Sequence, residues 1–93
     1  MSLGDSTNDN FYGHVTSVKE FGEKIRLKRK MLGLTIKRVA GLSGIGPRYL
    51  SELERGKSTI EMGKALHVAN SLGLELIVQS RSKLQMRDKV NDR

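Results

Sequence analysis

Cysteine is absent from this 93-residue chain, and so is tryptophan. Without thiols there can be no disulfide framework and no thiolate zinc site, a pattern that fits a cytoplasmic protein. No apolar run approaches the ~20 residues of a bilayer span, and no signal-peptide core is visible. A soluble chain with no membrane partner is expected. Catalytic sets are missing as well: there is no cysteine nucleophile and no Ser/His/Asp set with supporting context. Gly56-Lys57-Ser58 copies the end of a phosphate-binding loop, but no upstream strand and no glycine at the required position precede it. His67 stands apart from His14 and from any carboxylates at ligand spacing, so it reads as a surface or helix-packing residue. What is left is binding, with no enzyme activity, metal or cofactor expected. A chain this short makes one small domain whose core is marginal, so help from a second subunit is in keeping.

What the chain has is positive charge, unevenly placed. Seventeen Lys and Arg face ten Asp and Glu, for a net +7. Residues 1–16 carry −2, residues 17–57 carry +7 and residues 58–93 carry +2. A solvated basic surface would serve solubility alone; a basic face beside a nucleic-acid-binding motif is the footprint of phosphate binding.

Residues 1–16 (MSLGDSTNDNFYGHVT) are polar and glycine-rich and read as a flexible arm, its Met1-Ser2-Leu3 resembling a cloning scar. Ser17 and Glu20 form a capping box that opens a first helix. Val18, Phe21, Ile25 and Leu32 recur along it at helical spacing, and Gly33 stops it. Ser58 and Glu61 make a second box before Met62, Ala65, Leu66, Ala69 and Leu72, and Gly73 ends that helix. From Leu74 to Ser80 the period changes to two, with Leu74, Leu76 and Val78 alternating with Glu75, Ile77 and Gln79. One solitary strand is an edge in search of a partner, and the same strand of a second molecule would supply it about a two-fold axis. A short fifth helix is the alternative. Residues 81–93 are polar and basic and read as a disordered tail able to bind a partner, or without function.

Between these parts lies Thr35 to Gly56, TIKRVAGLSGIGPRYLSELERG. Val39 and Ala40 give a first short helix its inward face, and Ala40 lets a second helix cross closely. Gly44 sits where the chain must reverse and take positive φ. Ile45 plugs into the core, Gly46 can cap, and Pro47, the single proline, suits the first helical position. Leu50 and Leu53 bury at i, i+3 and leave Arg48, Tyr49, Ser51, Glu52 and Arg55 on outer faces. This is the layout of a helix-turn-helix whose second helix enters a DNA major groove. The fold expected is mainly α: a compact bundle of four to five helices, plus one C-terminal β-strand pairing across a dimer. Residues 17–80 would be the folded unit.

Leu34-Thr35, Ala40, Gly44-Ile45, Leu50 and the run Glu54-Arg55-Gly56-Lys57 resemble the Cro and phage-repressor (XRE) helix-turn-helix family. The longer string GIGPRYLSELERGKSTIEMGKAL…SLGLEL more narrowly resembles the HipB-type antitoxin regulators, over roughly residues 17 to 80. That resemblance implies an operon autorepressor that also binds a HipA-type kinase toxin and dimerises partly through C-terminal strands. It also places Arg29 close to the DNA backbone, where the bare sequence reads an ordinary exposed arginine. Two positions depart from the family: Ile36 stands where many members carry a phosphate-contacting Gln, and Arg38 where a Glu often completes a capping box with the Thr.

The expected contacts divide by chemistry. Arg55 and Lys57, with Arg29, would hold phosphates and set register without reading sequence. Arg48 can bond guanine O6 and N7 bidentately, and Tyr49 and Ser51 can bond or pack on base edges. Glu52 could accept from a cytosine amino group or instead orient Arg48 or Arg55. One subunit reads about four base pairs, and a homodimer held through Leu74, Leu76, Ile77 and Val78 would double that on a palindrome. Two functions follow: a dimeric double-stranded-DNA-binding repressor, or a protein-interaction module that chiefly neutralises a kinase toxin.

Overall fold

Ser17 starts the first helix by turning its hydroxyl onto the amide of Glu20, at 3.1 Å, in a computed structural model that describes residues 13–81. The expected arm up to residue 12 and the tail from residue 82 lie outside the described residues. The Ser17 half of the capping box is as predicted, and only the return bond is displaced by one residue. The Glu20 carboxylate accepts from the Thr16 amide at 2.7 Å and the Thr16 hydroxyl at 2.8 Å, so Thr16 and not Ser17 donates the return bond. Those two bonds, chiefly the backbone one, hold the Glu20 carboxyl below the usual carboxylate range, with Lys24 adding a smaller pull.

Four helices follow in order: α1 Val18–Met31, α2 Ile36–Ser43, α3 Pro47–Glu54 and α4 Met62–Ser71. Thr35 caps α2 through a 3.0 Å bond to the Arg38 amide. Gly44 closes α2 at φ 74°, where a side chain would meet no neighbour and only the backbone angle excludes one. Gly46 caps α3 and Pro47 opens it, as the sequence predicts.

Three helix ends share one device. After α1, the Gly33 amide bonds Lys30 O and the Leu34 amide bonds Arg29 O. After α4, Gly73 bonds Asn70 O and Leu74 bonds Ala69 O. After α3, Gly56 bonds Leu53 O and Lys57 bonds Glu52 O. Each is a Schellman turn, with its glycine at φ between 73° and 82°. In α1 and α4 the residue after the glycine is a leucine that packs on the core. In α3 that place is taken by Lys57, which is exposed.

The core consists of Ile25, Val39, Leu50, Leu53, Ala65, Val68, Ala69 and Leu72, each at most 3% exposed. α3 packs against both α1 and α2, and α2 against α4. Of the residues predicted to face the core, Val18 and Leu66 stay outside the core cluster, and Leu32 and Met62 are exposed. Leu32 is 46% exposed because α1 ends at Met31 and Leu34 fills the position instead. Met62 is 55% exposed at the first position of α4, whose cap is Glu61, three residues after the predicted Ser58. Ser58 and Thr59 form a turn, the Ile60 amide bonds Lys57 O at 3.2 Å, and Ile60 packs on the core. Glu61 thus becomes the cap residue of α4, without a side-chain bond to a helical amide.

Leu74 packs partly against the core, while Leu76, Ile77 and Val78 are 41%, 72% and 95% exposed. Residues 74–80 form neither helix nor strand within the single chain. Among the described residues, no helix is long and apolar enough to cross a membrane.

Candidate nucleic-acid interface

The orientation of α3 follows from its two buried leucines. Leu50 and Leu53 are 1% and 0% exposed. Steps of about 100° per residue then put Arg48, Ser51 and Arg55 on the opposite face, with Glu52 beside them. The observed burial agrees: Arg48 and Arg55 are exposed, and Ser51 and Glu52 are half-buried.

Three contacts hold the rest of α3 to the bundle. Arg29 of α1 grips Glu54 with both sides of its guanidinium, Nε to Oε2 at 2.7 Å and Nη2 to Oε1 at 2.9 Å. Its Nη1 donates to Leu34 O at 2.8 Å. The two side chains are only 11% and 7% exposed, and the Glu54 carboxylate raises the Arg29 pKa further. Gly22 marks the second contact: a Cβ there would run into the carbonyl oxygens of Leu53 and Glu54. Tyr49 supplies the third, donating its hydroxyl to Glu61 O at 2.6 Å beneath the Lys64 ammonium, 5.7 Å from the ring centre. Burial, and then the Glu61 charge, raise the Tyr49 pKa, so its phenol remains a donor.

The turn before α3 is fixed as well. Ser43, 8% exposed, donates to Val39 O at 2.7 Å and accepts from the Ile45 amide at 3.2 Å. His67 Nε2 lies 2.8 Å from Ser43 O and ties the turn to α4, giving that histidine a packing place.

Of the predicted contact residues, Arg48, Ser51, Glu52, Arg55 and Lys57 therefore share one surface around the outer face and the end of α3. Tyr49 turns its hydroxyl to the start of α4, and Arg29 is engaged between α1 and α3. Glu52 is the centre of the outer group. Its Oε2 lies 3.5 Å from Arg48 Nε and its Oε1 lies 3.4 Å from Lys57 Nζ. Lys37 and Arg38 at the start of α2 are exposed as well.

Sequence reading missed Ser43, Gly22 and the Arg29–Glu54 pair. A glycine in mid-helix, unfavourable by propensity, was the available signal for a close helix crossing. The pair spans 25 residues and left no local signal.

A helix-turn-helix family model matches residues 25–78. An uncharacterized HTH-type transcriptional regulator of Sinorhizobium fredii is 37% identical over 57 residues, covering 61% of this chain and 75% of that protein. No solved structure matches.

Proposed function

The chain belongs to the XRE-type helix-turn-helix family, and from that premise we propose that it is a cytoplasmic, sequence-specific repressor that binds a palindromic operator as a dimer. One observation carries this reading: the outer face of α3 presents Arg48, with 93% of its side chain exposed, flanked by Arg55 and Lys57. Arg48 reads guanine through its two terminal nitrogens, and Ser51 bonds an adjacent base edge. Arg55 and Lys57 hold phosphates. Arg29 and Tyr49 serve the same interface from behind, by fixing the angle of α3.

The functional unit is residues 17–80. Two copies pair through residues 74–80, where Leu76, Ile77 and Val78 are exposed in the single chain. The segment lines an open groove with residues 13–16, Phe21 and Lys24, which supports an interface on this side. Selection of bound sites from random DNA should return a palindrome with half-sites about 34–36 Å apart. Truncation after Gly73 should leave a helical, mostly monomeric domain that keeps salt-sensitive non-specific binding and loses most affinity for the palindrome. A truncated protein that stays a tight dimer would move the interface onto the helices.

The repressor governs its own operon, and a toxin–antitoxin operon is the setting the HipB-like string supports. In the second reading the chain is chiefly an antitoxin that neutralises a HipA-type kinase. Exposed Leu42, 58% accessible on α2, favours a protein surface there, whereas Ile36 packs on the core. A kinase reading frame adjoining the gene, and a stable complex of the two products, would support it.

A further inference from the structure

Glu52 is an acid at the centre of a surface that must approach a polyanion. Its backbone carbonyl receives the Lys57 amide in the Schellman turn that ends α3, at 3.1 Å. At the ends of α1 and α4 the residue in Lys57's place is an apolar leucine. Here the turn carries a lysine back over the residue whose carboxylate meets its ammonium, at 3.4 Å. The other carboxylate oxygen faces Arg48 from one turn further along, at 3.5 Å. Only 21% of the Glu52 side chain is exposed, against 93% for Arg48 and 51% for Lys57. The acid is thus set back and the two cations stand in front of it.

The contact to Arg48 is made through Nε. With 93% of the Arg48 side chain exposed, the two terminal nitrogens of the guanidinium are open to a ligand, and they are the pair that matches guanine O6 and N7. We propose that Glu52 is the positioning residue that sets the specificity of this interface: it holds the Arg48 fork outward for guanine and, through its charge, weakens binding to DNA that offers only phosphate. The inference rests on the DNA-reading function proposed above. On a matching site Arg48 keeps its Nε contact while its other nitrogens bond the base. On random DNA the fork gains no base, and the carboxylate subtracts from the attraction of Arg48 and Lys57 for phosphates. Exposed ion pairs of this length add little to stability, so the effect belongs to recognition.

The test uses the full chain, the DNA site selected by the wild type and a random duplex of equal length. Titrations of wild type, Glu52→Gln and Glu52→Ala are run at several salt concentrations, with thermal melting of each protein alone. Both variants should melt with the wild type and bind random DNA several-fold more tightly, with a salt slope at least as steep. The ratio of specific to random affinity should fall about tenfold, within the range of one bidentate base contact. A ratio that stays at the wild-type value would overturn the proposal. So would random binding that weakens in step with the melting temperature, which would make Glu52 a structural residue. If the wild type itself enriches no sequence, the DNA-reading function fails and the Glu52 role with it. A wild type that discriminates, beside a Gln variant that discriminates equally, rejects the Glu52 role alone.

Discussion

Two glutamates of α3 stand two residues apart and do opposite work. Glu54 faces α1, 7% exposed, and takes a two-pronged grip from Arg29 at 2.7 and 2.9 Å. Glu52 faces outward and meets its cations one oxygen each, at 3.5 and 3.4 Å. Short, bidentate and desolvated pairs fix geometry; long, exposed pairs exchange easily with water or with another anion. The helix is therefore locked on one face and free to react on the other. A helix that must reproduce its angle against DNA needs the first, and side chains that must leave one partner for another need the second.

Breaking the inner face should have the largest effect. Arg29→Ala leaves the Glu54 carboxylate nearly buried without its partner, and we expect a loss of roughly 3 kcal/mol of stability by denaturant titration. Specific and random DNA binding should weaken together, since the whole helix loses its support. If stability is unchanged, the pair does not hold α3.

Gly22→Ala attacks the same face through backbone packing. The added methyl meets the Leu53 and Glu54 carbonyls, so α1 and α3 must separate. The strain should outweigh the gain in helix propensity and cost roughly 1–3 kcal/mol, read as a lower melting temperature. A stabilised variant would contradict the close crossing.

Tyr49→Phe sharpens the division at its border. It removes the bond to Glu61 O and keeps the ring, so about 1 kcal/mol of stability should go while DNA sequence preference stays as it was. A changed preference at one base pair would return the Tyr49 hydroxyl to the reading surface.

How far this division was legible in the sequence depends on the range of the contacts. The reversal at Gly44 through Pro47 could be read because each residue answers to its own backbone: positive φ, a cap, a fixed φ at the first helical position. Leu50 and Leu53 orient α3 by themselves, so Arg48 and Arg55 were visible as outward residues. The same wheel turns Tyr49 towards the flank, a step that listing every polar residue as outer passes over. Arg29 looked like one of several surface cations because its partner lies in another helix. The Ser58–Glu61 pattern satisfied the spacing of a capping box, but Ile60 is drawn into the core and the turn it needs occupies those residues. Local rules gave way there to burial of one side chain. The strand expected over residues 74–80 has no ladder partner among the described residues, so its pairing with a second molecule belongs to the proposed dimer.

The division of labour across α3 is tested most directly by Arg48→Ala, titrated against the selected site and a random duplex, with a melting curve alongside. The account predicts an unchanged melting temperature, a loss of ~1–3 kcal/mol on the selected site with relaxed preference at one position of each half-site, and a much smaller loss on random DNA. An equal loss on both DNAs would make Arg48 a phosphate contact, and the outer face of α3 would then hold DNA without reading it.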